Sequence, residues 1–114
     1  MLPLLEASPS GRMIFTTSSV GRKGRAYWGA YAVSKFATEG LMETLADELK
    51  ATSKIRVFAI NPGGTRTEMR ASAYPGEDPE SVPAPGAHMP LYCYLMSGAS
   101  DQCHGESIDA YDYL

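Results

Sequence analysis

The chain has 114 residues, 44% of them hydrophobic and 20% charged, which suits one folded domain and is too apolar for a disordered chain. A net charge of -3 and a pI near 5.3 give no positive field for nucleic acid or an anionic membrane, and the Lys and Arg residues form no run. No stretch reaches the ~20 apolar residues of a bilayer span, so a cytoplasmic protein without a membrane segment is expected.

The opening Met1-Leu2-Pro3-Leu4-Leu5 lacks the basic flank of a signal peptide and reads as the end of a helix, which suggests that the chain is a fragment. After a turn at Ser8-Pro9-Ser10-Gly11, the β-branched and apolar run at residues 12–17 predicts a strand covered on both faces. Gly21, Gly24 and Gly29 break the chain ahead of a long helical pattern at about residues 28–50. Val33, Ala37, Leu41, Leu45 and Leu49 recur every four residues and predict its buried lane. Lys35, Glu39, Glu43 and Asp47 predict a polar one.

A second apolar run at residues 55–60, stopped by Asn61-Pro62-Gly63-Gly64, predicts a buried parallel strand. Residues 71–90 carry Pro75, Pro79, Pro83, Pro85 and Pro90 and read as a long mobile loop or lid, or else as a simple linker. A short helix near residues 91–98 and a last strand near 106–110 complete the chain. Cys93 and Cys103 have no CxxC spacing and read as buried reduced thiols. His88, Cys93, Cys103 and His104 match no zinc template, so no metal site is expected.

Tyr31-Ala32-Val33-Ser34-Lys35 sets a phenol and an ammonium one helical turn apart on one face. Alone, this spacing is equally that of a surface lysine paired with Glu39 on the next turn. Ser18 ends the first strand, however, while Pro62, Gly63 and Thr67 follow the second. In a strand–helix–strand unit those positions meet at the rim formed by the strands' carboxyl ends.

A serine, a Tyr-x-x-x-Lys and a later Pro-Gly-x-x-x-Thr together resemble the short-chain dehydrogenase/reductase family, over nearly the whole chain. Within it, Ser18-Ser19-Val20-Gly21-Arg22, Gly24-Arg25-Ala26, Trp28-Gly29-Ala30-Tyr31 and Asn61-Pro62-Gly63-Gly64-Thr65-Arg66-Thr67 resemble the YciK-like bacterial oxidoreductases. The resemblance implies an α/β fold, a partial Rossmann-type doubly wound parallel sheet of about three strands with flanking helices. Residues 1–114 would be the carboxyl-terminal catalytic part of one domain.

Carried over residue by residue, Tyr31 is implied to be the general acid/base and Lys35 to support it and bind the nicotinamide ribose. Ser18, or alternatively Ser19, is implied to hold the substrate oxygen. Pro62, Gly63, Thr65 and Thr67 are implied to line the nicotinamide, although Thr67 also reads as a helix N-cap ahead of Glu68. The implied cofactor is NAD or NADP, with NADP preferred, the substrate a small carbonyl or alcohol, and the whole protein a homo-oligomer.

The family's Gly-rich phosphate loop has no counterpart among these residues, nor has its catalytic asparagine, since Asn61 belongs to the Pro-Gly turn. A non-enzymatic remnant that pairs through its long helix is therefore the alternative. A hydrolase built on Ser18 would need a histidine base, and His88 and His104 both fall in loops.

Overall fold

The computed structural model describes residues 1–114. Its elements are α1 (Leu2–Ala7), β1 (Arg12–Thr16), α2 (Gly29–Leu49), β2 (Arg56–Asn61), α3 (Glu68–Ala73), α4 (Met89–Leu95) and β3 (Ser107–Asp109), joined by short 3-10 turns. The three strands are parallel, in the order β1-β2-β3. Arg12 pairs with Arg56 and Thr16 with Ile60, so β1 and β2 end level; Asn61 pairs with Asp109 at the same end.

Strand β2 has neighbours on both sides and helices on both faces, which explains its unbroken apolar sequence. Side chains alternate across it. Val57 and Ala59 join Met42, Ala46 and Ile55 beneath α2, while Phe58 and Ile60 join Leu91, Leu95, Ile108 and Ala110 beneath α4. Each of the larger side chains in these two cores contributes about 1.5–3 kcal/mol by leaving water. Helices on opposite faces of a parallel sheet make the architecture doubly wound. Strand β1 is an edge strand, with Met13, Ile14 and Phe15 half-buried.

The buried lane of α2 is not the predicted one. Ala32, Glu39, Met42 and Ala46 are buried, whereas Val33 is 70% and Leu41 56% exposed. A lane taken every fourth residue drifts about 40° per step around a helix of 3.6 residues per turn, so it cannot hold one side over a helix this long. Leu45 and Leu49 reach the core only at the far end. The same drift carries Glu39 out of the polar lane and into the interior.

The proline-rich stretch also departs from a featureless lid or linker. It starts with α3 and contains 3-10 turns at Pro79–Ser81 and Pro85–His88. The Arg66 guanidinium donates to the Pro79 carbonyl at 3.1 Å, and Arg70 grips Glu77 through two bonds of 2.9 and 2.8 Å. Those bonds hold the Glu77 carboxyl below its ordinary range. Cys93 is exposed, on the solvent side of α4, and Cys103 half-buried, both as free thiols, so the expectation that both are buried fails for Cys93 and is only half met for Cys103. No helix is long and apolar enough to cross a membrane.

Candidate active site

Two of the three strands deliver the predicted residues to one rim. Beyond β1, Ser18 caps a 3-10 turn at Ser19–Gly21, its Oγ accepting from the Val20 amide at 3.4 Å. Ser19, the first residue of that turn, is exposed, and its Oγ accepts from Arg25 at 3.3 Å. The turn packs directly on α2. A Cβ on Gly21 would lie 2.9 Å from the Lys35 carbonyl oxygen, so only glycine lets the serine turn approach the helix that carries Tyr31 and Lys35.

Lys35 is not paired with Glu39. Its Nζ donates to the Thr16 carbonyl at 3.2 Å, at the end of β1, and stands 5.5 Å from the centroid of the Tyr31 ring. Trp28 meets the same ring edge-on, centroids 5.7 Å apart. The Tyr31 side chain is otherwise open, at 44% exposure. The link into α2 is strained: Tyr27 has a φ of 70°, a conformation an aromatic residue rarely adopts, and the neighbouring glycines do not take it.

Glu39 instead anchors the rim from below. Its Oε2 accepts from the Thr17 hydroxyl at 2.9 Å and the Ser107 hydroxyl at 2.8 Å, with Arg22 Nε 3.7 Å away. Arg22 continues to Asp109 and Ser107, each at 2.7 Å. Asp109 also accepts from Asn61 at 2.9 Å. Burial pushes the Asp109 carboxyl upward, but the hydrogen bonds from Arg22 and Asn61 and the guanidinium charge outweigh it and hold the group below the ordinary carboxylate range. One network thus ties the ends of all three strands.

The turn after β2 forms the other side of the rim. Gly63 has a φ of 69°, which suits glycine, and its amide donates to the Asn61 side chain at 3.1 Å. The Tyr111 ring lies against Gly63, where a Cβ would come within 2.6 Å of it, and the Tyr111 hydroxyl donates to the Gly64 carbonyl at 2.5 Å. Pro62 is half-buried. Thr65 donates to the Gly63 carbonyl at 3.2 Å and meets His88 Nε2 at 3.1 Å. Thr67 caps α3, accepting from the Arg70 amide at 3.1 Å, so its hydroxyl serves the helix. No hydrogen bond joins this turn to Tyr31 or Lys35.

The two histidines are engaged in the fold. His104 accepts from the Val57 amide at Nδ1 (3.0 Å) and donates from Nε2 to the Ala46 carbonyl (2.8 Å), stitching α2 to β2. Among the side chains at the rim, Gly21, Glu39, His88 and Tyr111 escape sequence reasoning. Gly21, so close to Ser18, offers a signal of close approach; the others have none, because their partners are remote in sequence.

A parallel sheet with a Tyr-x-x-x-Lys helix packed on a serine turn at its carboxyl rim defines a class of dehydrogenases, and comparison with known proteins agrees. The family model described as short chain dehydrogenase matches residues 1–78. The chain belongs to the short-chain dehydrogenase family, and within it is YciK-like. It is 57% identical over 110 residues to the oxidoreductase YciK of Escherichia coli K12, which covers 96% of this chain and 43% of that protein. A chloroplastic NADPH-dependent aldehyde reductase-like protein of Arabidopsis thaliana is 40% identical over 87 residues, 76% of this chain and 31% of that one. Among solved structures, a short chain dehydrogenase of Pseudomonas syringae is 59% identical with a TM-score of 0.90, covering 96% of this chain and 44% of that one. A short chain dehydrogenase of Shigella flexneri 2a complexed with NADP is 57% identical with a TM-score of 0.90, covering 96% and 45%. The chain thus spans less than half the length of these relatives.

Proposed function

We propose that the protein carrying this chain is an NAD(P)-dependent oxidoreductase that moves a hydride between nicotinamide and a carbonyl or alcohol carbon, and that residues 1–114 supply its catalytic side. The observation that carries this reading is the Lys35 ammonium, tied to the Thr16 carbonyl and standing over the Tyr31 ring beside the serine turn. NADP is the favoured cofactor, supported by the Shigella flexneri structure with NADP and the NADPH-dependent name of the Arabidopsis relative.

The residues present fit the nicotinamide end of such a cofactor. The left-handed Gly63 and the Thr65 hydroxyl offer a bare backbone and a polar group beside Pro62, as an amide-bearing ring requires. NAD(P) would supply the hydride; Pro62, Gly63, Thr65 and Thr67 would line its nicotinamide, and Lys35 and Tyr31 its ribose. A hydride arriving at a carbonyl carbon builds negative charge on the oxygen. The open Tyr31 hydroxyl would donate its proton to that oxygen and recover it in the reverse direction. Lys35 would stabilise the phenolate left behind, and its bond to Thr16 keeps the ammonium from swinging into solvent. Ser18 would hold the same oxygen, with Ser19 the alternative, so that the carbonyl is fixed between hydride and proton donors.

Tyr31→Phe in the intact protein tests this. It keeps the ring against Trp28 and removes the proton donor. NADPH oxidation followed with a panel of aldehydes should fall at least ~10²-fold in kcat. Full activity in this variant would remove the acid/base role.

Val33, Phe36 and Leu41 leave exposed apolar side chains on α2, which favours a homo-oligomer in the whole protein and keeps a pairing module without catalysis as the second reading. An intact protein that sediments as an oligomer, yet neither binds nor oxidises NADPH, would favour that second reading.

A further inference from the structure

His88 has no place in the mechanism above, yet it is 4% exposed and reaches the Pro-Gly turn from the proline-rich segment. Its Nε2 lies 3.1 Å from the Thr65 hydroxyl, and its ring stacks on Tyr111 with centroids 6.3 Å apart. Tyr111 in turn lies on Gly63 and donates to the Gly64 carbonyl, so the imidazole is held in the same cluster as the turn. His88 Nδ1 is buried and meets no partner.

Those contacts allow two arrangements of the hydrogens, of which one satisfies more of the buried groups. Thr65 has one hydroxyl hydrogen and two neighbours, the Gly63 carbonyl at 3.2 Å and His88 Nε2. A carbonyl can only accept, so Thr65 donating to Gly63 requires His88 Nε2 to carry a hydrogen. The opposite arrangement would put the imidazole hydrogen on Nδ1, where it would be a buried N–H without an acceptor. A buried N–H without an acceptor is rare.

We propose that His88 is a positioning residue for Thr65: its Nε2–H donates to the Thr65 hydroxyl, turns that hydroxyl's hydrogen onto the Gly63 carbonyl, and leaves a Thr65 lone pair to accept from a ligand amide. A one-way chain of hydrogen bonds then runs from the proline-rich segment into the Pro-Gly turn. Thr65 is committed as an acceptor, which matches the NH₂ of a carboxamide and not its oxygen. This last step rests on the reading that Thr65 lines the nicotinamide; the His88 tautomer does not.

Two measurements on the intact protein test it. Ring ¹⁵N NMR of histidine-labelled protein should show His88 protonated at Nε2 and bare at Nδ1. A hydrogen on Nδ1 with Nε2 bare overturns the proposal, whether or not any cofactor binds. NADPH titration of His88→Leu should then show affinity weakened about fivefold, the effect of one hydrogen bond of roughly 1 kcal/mol. His88→Gln, whose side-chain NH₂ can still donate to Thr65, should recover most of the loss. Wild-type affinity in His88→Leu overturns the positioning role, as does a His88→Gln variant no better than His88→Leu at an unchanged melting temperature. A wild-type protein that binds no NADPH sinks the reading of function, and the NMR result still decides the tautomer.

Discussion

The Lys35 ammonium is bonded to the carbonyl oxygen of Thr16, 3.2 Å away at the last residue of β1, and not to the carboxylate of Glu39 on the next helical turn. A backbone carbonyl at a strand end is a fixed partner, so the charge is held beside the Tyr31 ring, 5.5 Å from its centroid. Lys35→Met keeps most of the aliphatic stem and removes the ammonium. In the intact protein it should lower kcat by ~10²-fold or more while shifting the melting temperature little, because the lost bond is partly exposed and water can replace it at Thr16. An unchanged kcat would leave Lys35 as a structural cation only.

Gly21→Ala should damage the site without touching a reacting group. The added methyl would sit 2.9 to 3.0 Å from the Lys35 backbone and Cβ, none of which can rotate away. Either the serine turn or α2 must retreat, at a cost of about 1–3 kcal/mol for overpacking. Thermal unfolding and kcat should fall together. A variant with wild-type stability would show that the turn has slack.

Replacing Glu39 by Leu removes the acceptor shared by Thr17 and Ser107 and leaves two hydroxyls without it, one of them buried. The expected loss is about 1–3 kcal/mol in urea unfolding. Glu39→Gln retains one acceptor oxygen and should lose less. Equal losses in the two variants would mean that the charge facing Arg22, and not the hydroxyl bonds, is what matters.

The Arg22–Asp109–Asn61 part of the network predicts an acid sensitivity. The folded Asp109 group lies below the ordinary carboxylate range, so unfolding takes up a proton once the pH falls to that of the unfolded carboxyl, about 3.9. Its stabilising contribution is fully present above that pH and is lost as the pH falls on through the depressed folded value. Asp109→Asn should flatten the acid limb of stability against pH in that window. An unaltered limb would assign the acid sensitivity to other groups, Glu77 being the nearest in kind because Arg70 holds it low as well.

The sequence by itself determined the strands, the long helix and the rim, but not α3 or the turns of the proline-rich stretch. A continuous apolar run announces a doubly covered strand, and strand, long helix and strand in succession place Ser18, Tyr31, Lys35 and the Pro-Gly turn at one end, because side-chain direction and parallel order are local and topological rules. Tertiary structure decided which face of α2 is buried. The helix lies over a sheet and against the turn at Gly21, so the inward positions take Ala32, Met42, Ala46 and a carboxylate that the strand ends satisfy. Hydrophobicity cannot signal a buried Glu39, since its partners Thr17, Arg22 and Ser107 gather only when the strands are in register. The same holds for His88 on Thr65 and Tyr111 on Gly63. Each is a contact between segments far apart in the chain, whose hydrogen bonds exist only once the packing of both sheet faces brings the segments together.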